Sequence, residues 1–129
     1  MHHIRVLEIA LFDRDDFQVC KPEGELDSYT VASFREALSD LDFTSKILID
    51  MSGVSFLDST GLGALIGMVH RTREGGGRLA VCSAKPNVSK LLKMTGFDRL
   101  VTMTADLDSA VEFLSRDDLL TEDMEVVRA

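Results

Sequence analysis

Apolar residues along the chain fall into short blocks separated by polar turns, and the spacing inside each block sets its element. Val6-Leu7-Glu8-Ile9-Ala10-Leu11-Phe12 is short and strand-like, Asp13-Arg14-Asp15-Asp16 is a polar turn, and Phe17-Gln18-Val19-Cys20 resumes the strand pattern. Together they predict a β-hairpin. Pro22 and Gly24 interrupt the continuation toward Leu26, which predicts an edge or bulged strand. Val31, Phe34, Leu38 and Leu41 then recur at helical spacing, with Asp27, Ser28 and Thr30 as candidate N-caps. Ile47 to Met51 is a compact apolar run, expected to be a buried strand.

The second half repeats one alternation. A helix is predicted from Asp58 to Arg73, ended by Gly75-Gly76-Gly77. A strand follows at Leu79–Cys82, then a helix with Pro86 in its first turn, Val88, Leu91 and Leu92 on its apolar face, and Gly96 at its close. Leu100–Met103 is a last strand. Leu107, Ala110, Val111 and Leu114 mark a final helix capped by Asp106. Strand, strand, helix and then three strand–helix units imply a single α/β domain over residues 1–114: an initial hairpin and a mixed, mainly parallel sheet with about four helices. Residues 115–129 are acidic and aperiodic, and are expected to form a loosely ordered tail.

Composition narrows the function. The 129 residues suffice for one core, and 45% hydrophobic with 28% charged is ordinary for a globular domain. A net charge of −8 disfavours nucleic acid and anionic membrane surfaces as partners. No apolar run approaches the ~20 residues of a membrane span, and the N-terminus lacks the apolar stretch of a secretory signal. A cytoplasmic protein is expected. Cys20 and Cys82 lie in strand-like runs and are expected to be buried free thiols, with a disulfide left open.

The segment Met51-Ser52-Gly53-Val54-Ser55-Phe56-Leu57-Asp58-Ser59-Thr60-Gly61-Leu62-Gly63 concentrates the chemistry. It is expected to run from a buried strand through a short loop into a helix, the junction where α/β sheets usually meet ligands and partners. Asp58 is a natural N-cap, which places Ser59 at the first helical position with its hydroxyl outward. Gly61, Gly63 and Gly67 each cost a helix interior roughly 1 kcal/mol relative to Ala. Leu62, Leu65, Ile66 and Val69 are assigned to the core stripe. Thr60, Gly63, Ala64, Gly67, Met68 and Arg71 are left on or near the opposite, nearly bare face. Such a face admits a partner's backbone, or packs against the protein's own hairpin.

These residues resemble the STAS family, named for sulfate transporters and anti-sigma factor antagonists. The resemblance rests on Gly24-Glu25-Leu26-Asp27, on the segment Ile49 to Gly63 with its Asp-Ser-Thr-Gly-Leu-Gly core, and on Pro86 with Thr95-Gly96-Phe97-Asp98-Arg99-Leu100. It spans about residues 5 to 114 and is nearest the anti-sigma factor antagonist branch. It implies a protein that binds an anti-sigma factor serine kinase and so frees a sigma factor. The kinase uses ATP to phosphorylate Ser59, and a serine phosphatase reverses the step. Asp27 and Asp58 would flank the docking site; the bare helix face, rather than the resemblance, adds Ser59, Thr60, Gly63, Gly67 and Met68 to the expected partner interface. No cofactor is implied, and a homodimer stays open.

Two rivals stand beside this. An enzyme is disfavoured: there is no Gly-x-Ser-x-Gly elbow and no Walker loop, and His70, placed on the solvent side, is the one histidine outside the N-terminus. Gly61-Leu62-Gly63 with Gly67 imitates a dinucleotide loop, but the strand Leu79–Ser83 lacks the acidic ribose ligand. The other rival is a non-phosphorylated STAS scaffold in a transport or signalling complex.

Overall fold

The computed structural model describes residues 6–116. It opens with two antiparallel strands, β1 (Leu7–Arg14) and β2 (Phe17–Leu26), joined by a tight turn in which Asp15 has φ 54°. There follow α1 (Val31–Leu38), β3 (Lys46–Asp50), β4 (Gly53–Leu57), α2 (Ser59–Gly75), β5 (Arg78–Cys82) and α3 (Pro86–Met94). A 3-10 turn at Phe97–Arg99, β6 (Thr102–Thr104) and α4 (Leu107–Ser115) complete the order. This is the hairpin-plus-alternation α/β domain expected from the sequence. The acidic tail beyond Arg116 lies outside the described residues.

The sheet runs β1-β2-β3-β5-β6, with β4 beside β2; only β1 and β2 pair antiparallel. Ten-residue β2 serves two neighbours on one side. Phe17–Cys20 pairs with β3, and Glu23–Leu26 pairs with β4. Of the two alternatives expected, edge or bulged, β2 takes the second: it is an interior strand with neighbours on both sides. Pro22 sits between the last residue paired with β3 and the first paired with β4, a gap that accommodates a residue with no N–H. The predicted bulge is present, as a register shift between Gly24 and Glu25.

Both faces of the sheet are covered, which explains the unbroken apolar run in β3. Ile47 and Ile49 pack with Cys20 and Val81 under Phe34 of α1, Leu65 and Met68 of α2 and Leu92 of α3. Leu48, between them, points the other way and packs with Val19, Ala80 and Cys82 under Ala110 and Leu114 of α4. Cys20 and Cys82 are buried free thiols, as expected, and burial pushes the Cys20 thiol up to about 12.

The helix ends follow their sequence signals. Gly76 ends α2 at φ 79°, its N–H donating to Arg73 O (3.2 Å). Pro86 opens α3, and the Asp106 carboxylate caps α4 by accepting from Ser109 N (2.8 Å). β6 begins later than the predicted Leu100–Met103, because Leu100 N donates to Phe97 O (2.9 Å) and so still belongs to the 3-10 turn. Among the described residues no helix is long and apolar enough to cross a membrane.

Candidate functional site

The site forms where β4 runs into α2. Residues 53–57 were expected to be loop, yet they pair in parallel with the end of β2. Val54 N donates to Met51 O (3.0 Å) and Ser52 N to Asp50 Oδ1 (3.0 Å), which turns the chain tightly out of β3. Serines, glycine and one exposed Phe obscure the strand pattern here; backbone pairing with β2 supplies what side-chain alternation does not. The pairing carries on to the helix cap, where Asp58 N donates to Leu26 O (3.3 Å).

Asp58 is extended and caps α2 as predicted: Oδ1 accepts from Gly61 N (2.9 Å). Its second oxygen, Oδ2, accepts from Ser28 N (3.2 Å). One carboxylate therefore ties the first turn of α2 to the loop between β2 and α1. Ser59, next in sequence, is exposed, whereas Thr60 is half-buried. Of the two adjacent hydroxyl residues, the serine is the more exposed.

Asp27, expected to flank the docking site, is held inside the loop beside it. It is 1% exposed. Its Oδ1 accepts from Tyr29 N (2.9 Å) and Thr30 N (3.2 Å), while the Thr30 hydroxyl donates to Glu25 O (2.7 Å). These bonds hold the β2–α1 loop in shape. Thr30 occupies the N-cap position of α1 without a side-chain capping bond. Asp27 thus shapes the loop from beneath and offers a partner no surface of its own. The loop it folds carries Tyr29, 78% exposed, and β4 adds Phe56, 45% exposed. Neither was singled out from the sequence, although a lone tyrosine in a polar turn is a usable signal.

The rotation of α2 also differs from expectation. Its buried positions are Gly61, Ala64, Leu65, Met68, Val69 and Thr72, while Leu62 and Ile66 are only half-buried. The core stripe is turned by roughly 80° from the Leu62-Leu65-Ile66-Val69 line, at about 100° per residue. Gly61 explains the turn: a Cβ there would overlap Leu26 O and press on the Leu26 and Leu57 side chains, so this position faces the end of β2 at close range. Met68 is consequently fully buried and leaves the proposed docking face. Gly63 and Gly67 remain on it, for a Cβ at either would meet nothing within 4 Å. Ser59, Leu62, Gly63, Ile66, Gly67 and His70 line this side, which is low and partly apolar, with exposed Glu74 one turn beyond His70.

The geometry brings together an exposed serine hydroxyl at the start of α2 and an unfilled helix face beside it. The chain matches the STAS domain family over residues 9–110. It is 32% identical over 97 residues to the anti-sigma-B factor antagonist of Staphylococcus aureus (strain NCTC 8325 / PS 47), covering 74% of this chain and 90% of that one. The Staphylococcus epidermidis anti-sigma-B factor antagonist is 31% identical over the same shares. Among solved structures, an anti-sigma factor antagonist from Mycobacterium paratuberculosis superposes with TM-score 0.78 at 25% identity, over 85% of this chain and 95% of that chain.

Proposed function

The chain belongs to the STAS domain family, and on that premise we propose that it is an anti-sigma factor antagonist switched by phosphorylation of Ser59. In its unmodified form it binds an anti-sigma factor that is also a serine kinase, and the sigma factor is released. The kinase spends ATP to phosphorylate Ser59, the complex separates, and a serine phosphatase resets the switch. The protein works in the cytoplasm, needs no cofactor and catalyses no reaction of its own.

The observation that carries this is Ser59 itself: exposed, first in α2, and beside the open Gly63–Gly67 face. Asp58, Thr60, Gly63 and Gly67 complete the docking surface, with Leu62, Tyr29 and Phe56 around them. A phosphate adds about −2 charge next to Asp58. At ~6 Å the repulsion is roughly 1.4 kcal/mol in water and some four times that in a half-dry interface. The positive end of α2 returns at most about 2 kcal/mol. In solvent the modified protein stays folded; against a partner the added charge must lose its water, and the complex fails.

Incubation with the anti-sigma factor kinase and ATP tests this. Mass spectrometry is expected to place one phosphate on Ser59. Ser59→Ala is expected to bind the kinase and stay bound, and Ser59→Asp to bind weakly. A phosphate on Thr60, or none on a correctly folded complex, overturns the proposal.

A further inference from the structure

At the opposite end of α2 lies a cleft whose charge runs against that of the whole molecule. Its volume is about 220 Å³, and its walls come from the last turns of α2, the start of β5, the approach to β6, and Phe113 of α4. The chain carries a net charge of −8. Yet the residues lining this cleft include two arginines, Arg73 and Arg78, and no acid. Another cleft, at the hairpin tip, shows the contrast: Asp13, Asp15, Asp16 and Asp42 all line it.

The two guanidinium groups are held by different means. Arg73 Nη2 donates to Leu100 O (2.6 Å), which anchors the side chain across the rim. Arg78 stacks on Phe113, its guanidinium carbon 4.3 Å from the ring centroid. That stacking holds the plane but supplies no acceptor. Arg78 Nε is shielded from solvent and makes no hydrogen bond. A buried donor with no acceptor carries an unrecovered desolvation cost, and this arginine is therefore not held by an internal ion pair at Nε. Val69, Leu79 and the Phe113 ring add apolar walls, beside Thr72 and Thr102.

We propose that this cleft binds a compact organic anion, with a carboxylate or phosphate group received by Arg78 and Arg73 and an apolar body resting on Phe113. The planar guanidinium fork matches both kinds of oxyanion in two-point contact. The anion's oxygens meet the terminal Nη donors of the two guanidinium groups, while Arg78 Nε stays shielded behind them. The site is independent of Ser59 and of any partner docked along α2, so it stands or falls separately from the proposed switch.

Two probes test it on the full chain by NMR titration at constant ionic strength: inorganic phosphate for the anion alone, and sodium benzoate for an anion with an apolar body. Benzoate is expected to give saturable shifts confined to Thr72, Gly77, Arg78, Thr102 and Phe113, with a distinct shift of the Arg78 Nε–H resonance. Phosphate is expected to compete with it, more weakly. Arg78→Met is expected to weaken benzoate at least tenfold, on the scale of a lost charge-assisted hydrogen bond. Arg73→Gln, an exposed substitution that leaves the core intact, is expected to weaken it roughly threefold, about half that free energy. Shifts that sodium chloride reproduces, or affinities unchanged in Arg73→Gln and in folded Arg78→Met, overturn the proposal.

Discussion

Gly61 and Gly63 stand two residues apart on α2 and face opposite ways. At Gly61 a side chain would collide with Leu26 O, whereas at Gly63 it would enter open space. The first is glycine because the end of β2 lies against it. No packing constraint inside the described protein demands the second, and a helix interior pays roughly 1 kcal/mol to keep it. Two copies of one residue, on one helix, stand differently: the fold requires Gly61, while Gly63 fits the low docking surface proposed above. Gly67 repeats the second case one turn on.

The sharpest way to break this comparison is to fill both positions. Gly61→Val is expected to cost about 3 kcal/mol, the upper part of the usual overpacking range, because the obstruction is a backbone oxygen with little room to yield. Urea unfolding reads it; a stability equal to the parent would mean that α2 stands off β2. Gly63→Arg is expected to keep or slightly raise stability through helix propensity. It should weaken the anti-sigma factor complex by about 2 kcal/mol, close to thirtyfold, by holding the partner's backbone away. Thermal melts and titration with the kinase decide it together: lost stability means an internal face, and unchanged affinity means docking elsewhere.

Two smaller changes refine the picture around the cap. Asp58→Ala is expected to lower stability by about 1 kcal/mol, the usual loss for a removed N-cap. It should also loosen the Ser28 amide that the second carboxylate oxygen holds, seen as faster hydrogen exchange at Ser28 than in Asp58→Asn. Least of all comes acid. The amide and hydroxyl of Ser109 hold the Asp106 carboxyl below its ordinary value. A carboxylate depressed in the folded state stabilises above its unfolded pKa and loses that contribution as pH falls through the folded one. Asp106→Asn should therefore flatten the stability profile slightly below about pH 4, and an identical profile would show that the cap bond is not maintained in solution.

Much of this was legible in the sequence, and the rest was hidden for identifiable reasons. The hairpin, the Asp58 and Asp106 caps, the glycine stop after α2 and the alternation of strand and helix all arise from local rules, and each formed. β4 escaped because its exposed Ser55 and Phe56 break the strand pattern; its strand character comes from pairing with residues some thirty positions earlier. The rotation of α2 was misjudged because Leu62 and Ile66 look like core and Ala64 does not. Only the contact between Gly61 and Leu26, invisible to periodicity, fixes which side turns inward. Asp27 lies at the expected corner but is buried, and its burial was not legible because sequence does not distinguish a carboxylate that serves neighbouring amides from one that faces outward.

The double pairing of β2 has a consequence for the order of events during synthesis. Its second half has no parallel neighbour until residues 53–57 arrive, and Asp58 joins it only after them. Such long-range pairing is slow to form, because the intervening loop must close before any contact rewards it. A nascent chain that has emerged only to residue 50 holds β1, β2, α1 and β3, but Glu23–Leu26 still lacks its parallel neighbour. The corner that presents Ser59 therefore comes into being late and all at once. A peptide of residues 51–63 would carry the same letters without Leu26 behind Gly61 or Ser28 on Asp58, and an enzyme that reads shape would pass it by.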